Sequence, residues 1–320
     1  METIQTKKIS AVPKFLKKNI SFAAFVILFV LFTFTCNGKF LTAANLLTIC
    51  GSSVDLLLCA LGTTYIIMLG SIDLSTGSML SLCGVVAAKI FVSTNSFAAA
   101  LFGAIGVSLA AYLLMGVVYT QMKIPAFIVT LGMLSIARAT VTMLSGGTIT
   151  MIPFDSPFKQ FLGMRPWILI IGAVVFVIAW LIERFTLFGR YTRLIGGDET
   201  VAKLSGINIT KQKILVFIFA GVMTALGGLI MAARIGSGSP SIGQGYELNV
   251  ISAVVLGGTS FQGGIGGVKG TLIGALTLGM LANGLILWGM PTEVQLLIKG
   301  VILILAVYVS LERTPNMIVK

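Results

Sequence analysis

The sequence predicts an all-α fold: a polytopic membrane helical bundle of about ten transmembrane spans, some of them broken, with N- and C-termini in the cytoplasm. Three observations carry this expectation. Of 320 residues, 57% are apolar and only 10% are charged, whereas a soluble globular chain is roughly 25% charged. Apolar runs of near-spanning length recur along the whole chain. The basic residues behind the net charge of +12 lie mostly between those runs, where the positive-inside rule puts them, so the charge reads as topology and not as affinity for nucleic acid. Histidine is absent, which excludes imidazole base catalysis, histidine-centred metal sites and catalytic triads.

Residues 1–19 carry Lys7, Lys8, Lys14, Lys17 and Lys18 against the single acid Glu2. With the apolar run 20–35 behind them they read as a signal anchor that stays in place, its basic end cytoplasmic. Further runs fall near 45–69, 76–92, 97–119, 125–144, 166–183, 212–233, 248–262, 270–288 and 293–311. Glycine interrupts the regions 45–92 and 248–288, where half-helices are expected. Alternation from an inner N-terminus puts segment 184–211 inside, and its Arg184, Arg190, Arg193, Lys203 and Lys211 agree. The outer loop 145–165 holds only Lys159 and Arg165 against Asp155. The domain plan is a basic N-terminal segment 1–19, one membrane domain 20–311 and a cytoplasmic tail 312–320. Cys36, Cys50, Cys59 and Cys83 form no Cys-x-x-Cys pair and read as small packing side chains.

Three interruptions of the apolar pattern invite a functional reading. In the inner loop, Asp198 to Ser205 has the marks of a two-turn helix. Asp198 can cap it, Glu199 and Lys203 stand i,i+4 in the favourable order, and Gly206 supplies a left-handed stop. Val201 and Leu204 share one face, which docks either on the chain's own bundle or on a soluble partner, because so short a helix is unstable alone. In GSIDLSTGS, Gly70 to Ser78, Asp73 must avoid lipid. It either caps the following helix or faces a polar cavity with Ser75; Asp55 is a second acid at that depth. From Gly236 to Gly270 the chain is glycine-rich. Gln244, Tyr246, Glu247 and Asn249 there suit hydroxyl-rich ligands at an outer mouth, or serve as loop and cap groups. Gly266, Gly270 and Gly274 recur at spacing four, a helix-packing pattern in lipid. No phosphate loop is present: beside Lys269, Val268 and Gly270 stand where glycine and Ser or Thr are needed.

Four stretches resemble the permease family of ribose-type sugar ABC importers, relatives of the branched-chain amino-acid permeases. They are GSIDLSTGSMLSLCG (Gly70 to Gly84), IPAFIVTLGM (Ile124 to Met133), GGDETVAKLSGINITKQKI (Gly196 to Ile214) and GYELNVISAVVLGGTSFQGGIGGVKGTLIGAL (Gly245 to Leu276). The likeness runs from about residue 40 to 310. It departs at Ser71, where the family has glycine, at Asn249, where it has an acid, and in a short loop 145–165.

The resemblance implies a permease in a bacterial inner membrane that carries no catalytic residue, metal or cofactor of its own. A separate cytoplasmic ATPase binds ATP and Mg, an extracytoplasmic binding protein delivers a monosaccharide, and a second permease subunit completes the pathway. It places ATPase coupling on Asp198, Glu199, Val201, Ala202, Lys203, Leu204 and Gly206. The pathway candidates are Asp73, Ser75, Gln244, Glu247 and Asn249. Alternatives are the same architecture with branched-chain amino acids or nucleosides as cargo, and an ion-coupled secondary transporter. A zwitterionic cargo calls for paired charges, whereas Asp55 and Asp73 stand in the sequence as isolated acids. A membrane-embedded enzyme would have only those two acids to work with.

Overall fold

The computed structural model describes residues 20–310; the segment 1–19 and the tail 312–320 lie outside the described residues. Helix α1 (Ile20–Thr35) precedes α2 (Ala43–Ser52) and α3 (Val54–Met68), which are divided only at Ser53. Then come α4 (Thr76–Thr94), α5 (Phe97–Gln121), α6 (Ala126–Ser145), strand β1 (Thr150–Met151), α7 (Pro157–Gly163) and α8 (Trp167–Phe185). Helices α9 (Leu187–Gly197) and α10 (Glu199–Leu204) fill the expected inner loop, and α11 (Ile209–Ile235) leaves it. Strand β2 (Ser237–Gly238), α12 (Tyr246–Leu256), α13 (Val268–Leu287) and α14 (Thr292–Ser310) follow.

Among the described residues, seven helical stretches are long and apolar enough to cross a membrane, while α1 and α12 are shorter apolar helices. The chain is a multi-pass helical bundle. The expected run 248–262 ends as helix at Leu256. At about 1.5 Å per residue, α12 spans only about half of a hydrocarbon core of about 30 Å, so it is a half-helix followed by non-helical chain. Helix ends follow local chemistry: Asn95, at φ +50, closes α4 in the left-handed conformation, and the side chains of Ser96 and Asn208 cap α5 and α11.

The core is built around α3, all fifteen residues of which are buried. Helix α11 packs against α3, α4 and α5, and α3 also meets α8, α12 and α13. Helices α5, α6 and α8 leave most of their surface outward, as lipid-facing helices do. Where hydrocarbon surrounds the helices, association depends on close packing and not on the hydrophobic effect. Gly270 and Gly274 of α13 accordingly press against Gly257 and Ala253 at the end of α12. Gly266 stands outside that pattern, in the loop against Thr259 at φ +136. Cys36, Cys59 and Cys83 are buried and free; Cys50 is free and exposed.

Two non-helical segments interrupt the bundle, residues 69–75 and 257–267. Non-helical backbone at membrane depth needs partners within the protein, and several are supplied here. Thr130 of α6 receives the Leu74 amide at 3.2 Å and donates to Ile72 O at 3.2 Å. The second break also bonds to the end of α3, directly before the first break, Gly264 N donating to Met68 O at 2.9 Å. The β1–β2 pair, Thr150 with Gly238 and Met151 with Ser237, ties loop 145–165 to the chain after α11.

Candidate functional site

Helix α10 forms as its residues dictate. Asp198 is extended, and its Oδ1 accepts from Thr200 N at 2.8 Å and Val201 N at 3.0 Å. Gly206, at φ +78, ends the turn, with its amide donating to Lys203 O. Ala202 alone of the six is buried against the bundle, whereas Val201 and Leu204 are 56% and 84% exposed. The apolar pair is therefore not covered by the described residues of its own bundle.

One expected contact is different. Glu199 does not pair with Lys203. Its Oε2 lies 2.7 Å from Nζ of Lys213 on α11, which also sits 4.8 Å over the Tyr119 ring. The turn after Gly206 folds α11 back alongside α10, and this brings a nearer cation to Glu199. Between these elements and the α5–α6 turn lies a cleft of about 600 Å³ lined by Tyr119, Lys123, Glu199, Lys203, Asn208 and Lys213.

The α9 helix was not expected from sequence, although its burial of Gly189, Thr192 and Ile195 at helical spacing was legible in LFGRYTRLIGG. Gln212 of α11 ties it down through Phe188 O and Thr192 Oγ1, both at 2.9 Å.

Asp73 and Ser75 lie inside the bundle, 1% and 0% exposed. Asp73 Oδ1 accepts from Ser75 N at 2.8 Å and Ser75 Oγ at 2.6 Å. Its Oδ2 accepts from Thr76 Oγ1 at 2.8 Å and Tyr112 OH at 2.7 Å. Tyr112 OH also lies 3.1 Å from Thr224 Oγ1 on α11. A buried carboxylate is tolerable only when it is hydrogen-bonded in this way. Asp73 reaches the amide of Ser75, just before α4, and none within the helix; the arrangement makes it a hub joining the first break to α5 and α11.

Asp55 is not the isolated acid that the sequence suggested. Arg234 at the end of α11 reaches it, Nε to Oδ1 at 3.2 Å and Nη2 to Oδ2 at 3.3 Å, and Tyr246 OH donates to Oδ2 at 2.7 Å. The argument against a zwitterionic cargo from unpaired acids therefore fails, but this pair is saturated by its own chain.

The third group lies where β2 leads into α12. Gln244 is exposed, and Glu247 and Asn249 are partly buried. Sequence reasoning missed Arg138 of α6. Its guanidinium donates to Pro240 O at 3.0 Å, Ile242 O at 3.2 Å and Gly243 O at 3.1 Å, so it shapes the turn that presents Gln244 and Glu247. A lone arginine within an apolar span was the available signal. Glu247 packs against Gly77 of α4, and its buried Oε2 has no hydrogen-bond partner among the described residues.

A family model described as branched-chain amino acid transport system / permease component matches residues 45–307. The chain is 38% identical over 284 residues to the ribose import permease protein of Escherichia coli strain K12, covering 86% of this chain and 88% of that one. Against the ribose import permease protein of Bacillus subtilis strain 168, identity is 36% over 87% of this chain and 88% of the relative. Against the L-arabinose ABC transporter permease protein of Azospirillum brasilense it is 35%, over 88% and 84%. No solved structure matches.

Proposed function

From the premise that this chain belongs to the branched-chain amino acid transport system permease family, we propose that it is the membrane-spanning permease subunit of an ATP-binding-cassette importer of sugars. Its relatives named for ribose and L-arabinose, each matched over more than four-fifths of both chains, carry the cargo class. The chain is a transport component and not an enzyme.

In finer detail, the cargo is a monosaccharide, a ribose-like pentose or a hexose, and the membrane is the bacterial inner membrane, crossed ten times with both termini cytoplasmic. A separate ATPase binds ATP and Mg on the cytoplasmic side, a soluble extracytoplasmic protein delivers the sugar, and a second permease chain completes the pathway. The ATPase docks on α10. What supports this is the capped helix with Val201 and Leu204 outward, an apolar face that none of the described residues covers. Asp198 and Gly206 hold the ends of that helix, Ala202 seats it, and Glu199 and Lys203 border the docking face. Sugar enters past Gln244, Glu247 and Asn249. Asp73 and Ser75 hold the first break beneath that entrance.

The experiment is uptake of labelled ribose, arabinose, xylose and glucose by vesicles carrying the permease with its ATPase and binding protein. Uptake should require ATP and survive collapse of the ion gradients. Uptake that follows an ion gradient without ATP refutes the reading, and preference for leucine over every sugar overturns the cargo.

A further inference from the structure

Helix α10 is attached to the bundle through Gly196 and Gly197, the last residues of α9. Gly196 lies directly against the Met68 carbonyl at the end of α3 and the Gly264 amide in the second break. From the other side, Gly263 abuts Gly196 and the Gly70 amide, and Gly264 abuts Gly196 and Gly197. The hydrogen bond from Gly264 N to Met68 O, 2.9 Å, runs through the same point. Three chain segments thus meet backbone to backbone: the junction that carries α10, the first break and the second break.

A second tie runs parallel to this one. Glu183 at the end of α8 accepts from Arg193 of α9 at 2.7 Å through Oε1 and from Val268 N, at the start of α13, at 2.9 Å through Oε2. Arg193 Nη2 also donates to Gly266 O at 3.1 Å. Helix α9 is therefore pinned to the exit of the second break as well as to its middle.

We propose that Gly196 is the pivot through which a displacement of α10 is passed to both breaks at once. The proposal rests on the reading of α10 as the ATPase-docking helix. A side chain between packed elements can change rotamer and absorb a small shift. Backbone in direct contact has no such slack, so a push on α10 moves Met68 and Gly264 with it. The two breaks adjoin the ends of α3, α4, α12 and α13, so one contact point governs four helices. Gly196 needs no unusual φ; what it lacks is room, since a Cβ there would overlap the Met68 carbonyl. The adjacent Gly197 has open space where its Cβ would stand, which makes it an internal control.

The test uses the complete transporter, permease with ATPase and binding protein, in proteoliposomes, with labelled ribose and labelled arabinose as probes. Gly196→Ala should keep ATPase co-purification while uptake, and the stimulation of ATP hydrolysis by sugar-loaded binding protein, each fall by at least about fivefold, the lower range of a typical coupling energy. Gly197→Ala should remain near wild type. Should Gly196→Ala fail to insert, Glu183→Gln weakens the parallel tie while retaining an acceptor for Val268 N, and it should lower uptake per ATP hydrolysed. Wild-type coupling in Gly196→Ala, or in Glu183→Gln where that stands in, overturns the pivot, as does equal loss in Gly197→Ala. Leu204→Glu is run alongside: if it keeps both ATPase and uptake, the docking reading fails, whereas loss of ATPase there with normal coupling in Gly196→Ala refutes the pivot alone.

Discussion

Arg234 and Asp55, 179 residues apart in the chain, form an ion pair between the end of α11 and the start of α3, with Nε 3.2 Å from Oδ1. Asp55 is 1% exposed, and Tyr246 of α12 supplies a third contact. Helices α3 and α11 and the half-helix α12 are thereby fixed at one point, beside the glycine-rich turn that leads to the proposed entrance.

Removing one member of such a pair costs more than removing both, because a lone buried charge is left behind. Arg234→Met should destabilise the permease by about 3–5 kcal/mol, and Asp55→Asn combined with Arg234→Met should recover part of that loss. Thermal unfolding in detergent, followed by tryptophan fluorescence, reads both. Equal stability of the single and double variants would mean that the pair contributes no such penalty.

The Asp73 hub makes a separate stability prediction. Tyr112→Phe removes one donor to Oδ2 and the contact to Thr224, which should cost about 1–3 kcal/mol. Asp73→Asn should lower stability further and reduce uptake with it. A variant that loses uptake while melting like wild type would return Asp73 to the pathway as a sugar ligand.

At the proposed entrance, Glu247→Gln should leave folding nearly unchanged and raise the sugar concentration needed for half-maximal uptake, since Glu247 makes no ion pair among the described residues. Arg138→Ala should do the reverse. It frees three carbonyls of the turn at residues 240–243 and should lower stability before it changes affinity. Uptake kinetics at graded ribose and arabinose concentrations, paired with melting curves, separate the two.

At the proposed ATPase-docking helix, Leu204→Glu places a charge on the exposed apolar face of α10. Loss of an interface anchor costs about 2 kcal/mol or more, roughly a 30-fold weaker complex. Co-purification of the ATPase at matched expression measures it. Lys203→Ala should have a smaller effect, since it has no ion-pair partner among the described residues.

The helical runs were legible because lipid imposes a length and a composition on each of them, and the capped α10 because Asp198 and Gly206 act within a few residues of themselves. Helix α9 was hidden by its charges: Arg190 and Arg193 made the segment look like loop, although its apolar residues keep helical spacing. Glu199 was given the wrong partner because Lys203 is its best local cation, while Lys213 becomes near only when α11 folds back.

By itself the amino-acid sequence determined the all-helical multi-pass architecture, the places where helices break and the family to which the chain belongs. Each of these follows from residues acting on close neighbours or on the surrounding lipid. Only the tertiary structure decided that Asp55 is paired with Arg234, that Asp73 is a saturated hub, and that Gly196 lies against both breaks. Those are contacts between segments far apart in the chain, and low-dielectric packing selects them by geometry. No local pattern encodes which distant backbone or charge will arrive beside which.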